Sequence, residues 1–125
     1  AANKLAQRPH QFREINEPNE QSIIVPSVTS ERRRYIPMDF LDNQCIVTNL
    51  AFVIYKADYY LFSILCSHMH MTWVRAVAGR LKTDYRYSSA LCYNTFPFPE
   101  ITEEQKLILE DHVFKVLDER ECHSE

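Results

Sequence analysis

The sequence predicts an α+β fold: a small, mostly antiparallel sheet packed on one long helix, with a further helix at the C-terminus. Three observations carry that class. Short β-branched runs recur between turn residues in the first half of the chain. An apolar stripe at helical spacing runs through Tyr59 to Ala78, and a capping-box pair, Thr102 and Gln105, opens a second amphipathic stretch.

Residues 1–21 are polar, contain Pro9 and Pro18 and show no periodicity, so they read as a connector entering from an upstream domain. The domain proper then spans residues 22–121, with 122–125 as a tail. Its strand candidates are Ile23-Ile24-Val25, Tyr35-Ile36, Cys45-Ile46-Val47-Thr48 and Phe52-Val53-Ile54-Tyr55, separated by turn formers such as Pro26-Ser27, Pro37 and Asp42-Asn43.

Asp58 is placed to cap the long helix, because its carboxylate can accept from a free N–H of the first turn. Phe62, Leu65, Met69, Trp73 and Val77 form the stripe expected to lie on the sheet, and Gly79 is expected to end the helix in the left-handed conformation. From Leu81 to Tyr87 the period changes to two. An extended strand there puts Leu81, Thr83, Tyr85 and Tyr87 on one face and Lys82, Asp84 and Arg86 on the other. The last helix runs to about Arg120. Leu109, Val113, Val116 and Leu117 are its buried side, and Glu103 and Glu104 face the positive end of its dipole.

At 125 residues the chain is one domain, and 46% hydrophobic against 25% charged residues is the balance of a folded chain. Glycine occurs once, which excludes the Gly-rich loops of nucleotide-hydrolysing and dinucleotide-binding folds. No apolar run reaches the ~18 residues of a membrane span and no signal-peptide core is present, so a soluble, cytoplasmic protein without a membrane partner is expected. The four cysteines form no C-x-x-C pair and are expected as reduced thiols. The net charge of −3 hides an asymmetry: residues 100–125 carry nine acids against three bases, leaving a net +3 in residues 1–99. The basic part can face a polyanion while the acidic end faces away.

Catalytic signatures are weak. Cys66, His68 and His70 form a C-x-H-x-H string, but on one helix His68 points about 160° from the face shared by the other two, so no metal site is expected. No G-x-S-x-G elbow supports a nucleophilic serine. Asn94-Thr95-Phe96-Pro97 superficially resembles the Asn-Pro-Pro-aromatic motif of amino-group DNA methyltransferases, with the prolines in the wrong places, and is expected to be a structural turn. Basic residues are better placed. Arg32, Arg33 and Arg34 follow Ser27, Thr29 and Ser30, a composition that can hold phosphates, while Arg75, Arg80, Lys82 and Arg86 lie on or after the long helix. Composition alone favours a solvated charged face over nucleic-acid binding.

Longer strings carry a resemblance. They are Arg34-Tyr35-Ile36-Pro37-Met38, the segment from His68-Met69-His70-Met71 through Trp73, Arg75, Val77 and Gly79-Arg80-Leu81-Lys82 to Asp84-Tyr85-Arg86-Tyr87-Ser88, and Tyr93-Asn94-Thr95-Phe96-Pro97-Phe98-Pro99. Over about residues 21–121 the chain resembles the C-terminal target-recognition region of MmeI-like type II restriction-modification enzymes, and more distantly the recognition domains of type I specificity subunits. The resemblance implies a duplex DNA recognition module of an adenine-N6 DNA methyltransferase, partnered by the upstream methyltransferase domain of the same polypeptide. The family's S-adenosylmethionine-binding, Asn-Pro-Pro-Tyr and nuclease motifs have no counterpart here. The fragment is therefore expected to have no catalytic residues and no cofactor, with S-adenosylmethionine and Mg belonging to the parent protein.

The family places sequence readout in this region. On the expected strand Lys82 and Asp84 lie about 6.6–7 Å apart on one face. The Lys82 ammonium suits guanine O6 and N7, and the Asp84 carboxylate suits cytosine N4, so together they specify one G·C pair. Arg86 is a candidate for a neighbouring base, and Arg32, Arg33, Arg34 and Arg80 for phosphate. Two alternatives remain. The last helix could make this a protein-interaction domain docking on the methyltransferase domain without base readout, which DNA-free binding of the fragment to that domain would reveal. A free-standing hydrolase would reveal itself by activity of the isolated chain.

Overall fold

The computed structural model describes residues 21–42 and 45–124. The connector assigned to residues 1–21 thus lies outside the described residues except for Gln21. The fold is α+β, with two antiparallel three-stranded sheets in place of the one expected. The first sheet has β1 (Ser22–Pro26) at its centre, flanked by β3 (Asp39–Leu41) and β4 (Ala51–Ile54). The second has β6 (Asp84–Arg86) between β2 (Val28–Thr29) and β5 (Gly79–Leu81).

β1 and β2 are separated only by Ser27, so the chain passes from one sheet to the other there. Ser27 anchors the crossing: its N–H and hydroxyl both donate to the Leu50 carbonyl, at 3.0 and 2.7 Å, and its carbonyl accepts the Tyr87 N–H at 2.8 Å. Every polar group of this residue is thus used, as a backbone crossing between sheets requires.

The runs at Ile23 to Val25 and Phe52 to Ile54 become strands, whereas Tyr35-Ile36 and Cys45 to Thr48 do not. β1 carries β3 on one edge and β4 on the other, and neither Tyr35-Ile36 nor the Cys45 to Thr48 run joins the sheet. Ile36 is buried all the same, in an irregular segment ahead of Pro37, while Ile46 is 47% exposed.

The expected long helix is two: α1 (Tyr59–Leu65) and α2 (His68–Val77). Asp58 caps α1 as expected, accepting the Leu61 N–H at 2.8 Å. The break occurs because Ser67 offers the backbone a competing partner: its hydroxyl accepts the His70 N–H at 3.2 Å and starts a new helix. The break rotates the buried face. Phe62 and Leu65 enter the core as expected, but in α2 it is His70, Met71 and Val74 that do, and Met69 is 56% exposed. Gly79 is not a left-handed cap. Ala78 is the C-cap, with φ −68° and ψ 143°, and Gly79 is already the first residue of β5.

A short π-helical turn at Ser89–Tyr93 leads through Phe96 to α3 (Glu103–Cys122). The capping box forms reciprocally: the Gln105 N–H donates to the Thr102 hydroxyl at 3.3 Å and the Thr102 N–H to the Gln105 side chain at 3.0 Å. Val113 is buried and Leu117 packs on the core, while Val116 is 45% exposed. Phe40 of β3 stacks on Phe62 of α1 at 4.8 Å, which joins the first sheet to the helices.

Candidate nucleic-acid interface

The window Leu81 to Tyr87 is not one strand. Gly79–Leu81 folds back on Asp84–Arg86 in a hairpin whose closing pair is Leu81 and Asp84, with Lys82 and Thr83 as the turn. Lys82 has φ 56°, the left-handed region that a lysine adopts at a cost. Period-two alternation runs through a two-residue turn without a visible break, and Lys-Thr carries none of the usual Gly or Asn turn signal. Tyr85 and Tyr87 are buried as expected, but Leu81 is 52% exposed and Thr83 is exposed too. Lys82 therefore does not share a strand face with Asp84. It stands at the hairpin tip, while Asp84 and Arg86 do share a face of β6.

Pairing defines the two faces of this sheet, since directly opposed residues of an antiparallel pair project to the same side. Thr29, Tyr85 and Arg80 form the inner row, in which Thr29 and Tyr85 are buried. Val28, Arg86 and Gly79 form an outward row, with Asp84 and Leu81 beside it. The Arg80 guanidinium lies over the Tyr85 ring at 4.0 Å and donates to the Thr83 carbonyl at 2.8 Å. Arg80 thus holds the hairpin turn, a role its sequence position did not disclose.

The Ser30 to Arg34 loop follows β2 and lies at the same end of the sheet as the Lys82-Thr83 turn, because β2 and β6 are antiparallel. The two are latched together: the Asp84 carboxylate accepts the Glu31 N–H at 3.4 Å. Ser30 shapes the loop, its hydroxyl accepting from the Arg32 N–H at 3.3 Å and its carbonyl from the Arg33 N–H at 3.1 Å. Arg32, Arg33, Arg34, Lys82 and Arg86 are all exposed, as is Glu31, and Asp84 is partly buried. The fold therefore brings four basic side chains, Lys82 and the three arginines, to one end of the sheet, with Arg86 further along its outward face.

Beneath that sheet lies a cluster that sequence reasoning missed. His70 is fully buried and its Nε2 is 3.0 Å from the Tyr87 hydroxyl, with the Phe96 ring edge-on at 4.7 Å. Burial lowers the His70 pKa to about 4 and pushes the Tyr87 hydroxyl well above its ordinary value. The capping of α2 by Ser67 is the local signal that could have turned His70 inward. Phe96 is thus a core residue, and the segment around it is the structural turn expected. The C-x-H-x-H string disperses: His68 is exposed, and burial raises the Cys66 thiol to about 11 despite the neighbouring Arg120. Among the described residues no three His, Cys, Asp or Glu side chains are grouped so as to hold a metal ion.

Arg120 is the second missed residue. From α3 it donates to the Met38 carbonyl at 2.7 Å, lies 3.8 Å from the Asp39 carboxylate and faces the Tyr35 ring at 5.9 Å. The segment that follows the three arginines is thereby fixed to the C-terminal helix.

Comparison with known proteins gives a consistent set. A family model described as the MmeI target recognition domain matches residues 1–100. DNA methyltransferase A of Bacillus subtilis (strain 168) is 56% identical over 119 residues, which is 95% of this chain and 14% of that protein. A solved structure of the Type IIL restriction-modification enzyme MmeI in complex with DNA superposes with a TM-score of 0.89 at 37% identity, covering 96% of this chain and 16% of that one. The chain thus spans a small part of the length of either relative.

Proposed function

This chain belongs to the MmeI target recognition domain family, and from that premise we propose that it recognises the sequence of duplex DNA on behalf of a larger adenine-N6 methyltransferase polypeptide. The observation that carries the reading is the latched end of the second sheet, where the Lys82 turn and the Arg32 to Arg34 loop meet through Asp84 and Glu31. A two-stranded ribbon fits the major groove, and basic groups beside it fit the phosphates that line the groove.

In this reading Lys82 at the tip donates to guanine O6 and N7, Asp84 accepts from cytosine N4, and Arg86 reaches a neighbouring base. Because Asp84 also holds Glu31, it serves two partners at once. Arg32, Arg33 and Arg34 contact phosphate. Arg80 is held by Tyr85 and Thr83, so its share in phosphate binding is the face of the guanidinium left open beside the turn. Methyl transfer and cleavage, with S-adenosylmethionine and Mg, are assigned to parts of the parent outside this chain, and the fragment alone neither methylates nor cuts.

The test is methylation mapping of host DNA by the parent protein and by its Arg32→Ala/Arg33→Ala/Arg34→Ala variant. Site-specific methylation that drops in the variant supports the reading; equal methylation by both overturns it. A second reading draws on Leu107 and Ile108, which are 65% and 59% exposed on α3. They suit docking on the methyltransferase domain of the same polypeptide, which would show as DNA-independent binding lost in a Leu107→Ser/Ile108→Ser variant.

A further inference from the structure

Among the described residues, nothing in the fold requires Gly79, the chain's one glycine, to be glycine. Its φ is not positive, and a Cβ built on it would meet none of the described residues within 4 Å. The helix before it has already ended at Ala78 in an extended conformation. A strand glycine forgoes side-chain packing and adds backbone entropy to the unfolded chain, so when the domain itself does not require one, the residue points to something that comes close from outside.

The position says what that is. Among the described residues β5 is an edge strand, and Gly79 lies opposite Arg86 of the central strand, the two in one outward row with Val28. Arg86 is exposed and stands about 4.8 Å away in the sheet. We propose that the sugar–phosphate backbone of duplex DNA lies against Gly79, one wall of the groove resting on the bare edge of β5 so that Arg86, one strand further in, reaches past it. This rests on the DNA reading above and adds a contact made by the absence of a side chain. Any Cβ here would hold the backbone off by the thickness of a methyl group and withdraw the neighbouring guanidinium from its target, since hydrogen bonds weaken steeply with added distance.

The experiment uses the full-length parent protein, unsubstituted and as Gly79→Ala and Gly79→Val, with labelled mixed-sequence duplex fragments at about 50 mM salt, and a thermal melt of each variant. The expected result is binding weakened by about tenfold in the alanine variant and further in the valine variant, with melting temperatures equal to or above that of the parent. Binding by both variants within about twofold of the parent overturns the role of Gly79 and leaves DNA recognition standing. A melting temperature lowered in the alanine variant also overturns it, because the glycine would then serve the fold. Failure of the unsubstituted parent to bind duplex DNA removes the DNA reading itself, and this inference with it.

Discussion

Asp84 accepts the backbone N–H of Glu31 at 3.4 Å across 53 residues of sequence, adding a side-chain tie where the pairing of β2 with β6 already brings the arginine loop beside the Lys82 turn. It joins the turn after β5 to the loop after β2, so Asp84 shapes the surface as well as presenting a carboxylate on it.

Replacing Lys82 or Asp84 by alanine in the parent protein is expected to relax recognition at one base pair, with ~1–3 kcal/mol less discrimination. Asp84→Asn separates the two duties of this residue, since an amide oxygen can still hold Glu31 while its NH2 group no longer mimics a carboxylate toward cytosine. Methylation mapping reads the result. Unchanged sites in the Lys82 and Asp84 variants remove both from readout.

Arg33→Ala should weaken binding to all sequences alike and reduce the slope of log K against log salt by about one unit. Titrations of the parent protein at several salt concentrations measure this. A change of preferred sequence would instead assign Arg33 to a base.

Lys82 sits at φ 56°, which costs a residue with a Cβ about 1–2 kcal/mol. Lys82→Gly is therefore expected to raise stability by about 1 kcal/mol, whereas Lys82→Ala should not, although both remove the ammonium. Urea midpoints of the two variants compare them directly.

Much of this architecture was legible locally, and the exceptions share one physical origin. Asp58 and the Thr102 and Gln105 pair predicted their helix starts because a cap is satisfied within three residues of chain. β1 and β4 were legible as β-branched runs. β2 and β3 were not, being two and three residues long and stabilised by partners elsewhere in the sequence. The helix break at Ser67 was hidden by an apolar stripe that continues through it, and the turn at Lys82 by an alternation that does the same. At the candidate interface, the basic residues could be picked out by charge, but their grouping depends on the long-range pairing of β2 with β6 and on the Asp84 contact with Glu31, which no local pattern encodes.

Burial holds His70 near 4, below the 6.5 of a free imidazole. Between those values the unfolded chain binds a proton that the folded chain does not, so stability falls as pH drops from about 6.5 toward about 4, by up to ~1.4 kcal/mol per pH unit and ~3 kcal/mol in all. Above about 6.5 this contribution is complete and constant. A His70→Phe/Tyr87→Phe variant, which replaces both polar partners, should lose this dependence. Urea midpoints at about pH 7 and about pH 5 check it; an equal acid loss in that variant would assign the effect to other groups.

The crossing at Ser27 ties the second sheet to the first through backbone and hydroxyl bonds, while the tip at Lys82 and the arginine loop lie in the open and bury little of the hydrophobic interior. Anchor and proposed contact surface are thus separate sets of residues. Substitutions at that exposed end leave the interior intact, so if it reads sequence as proposed, new preferences can arise there at small thermodynamic risk.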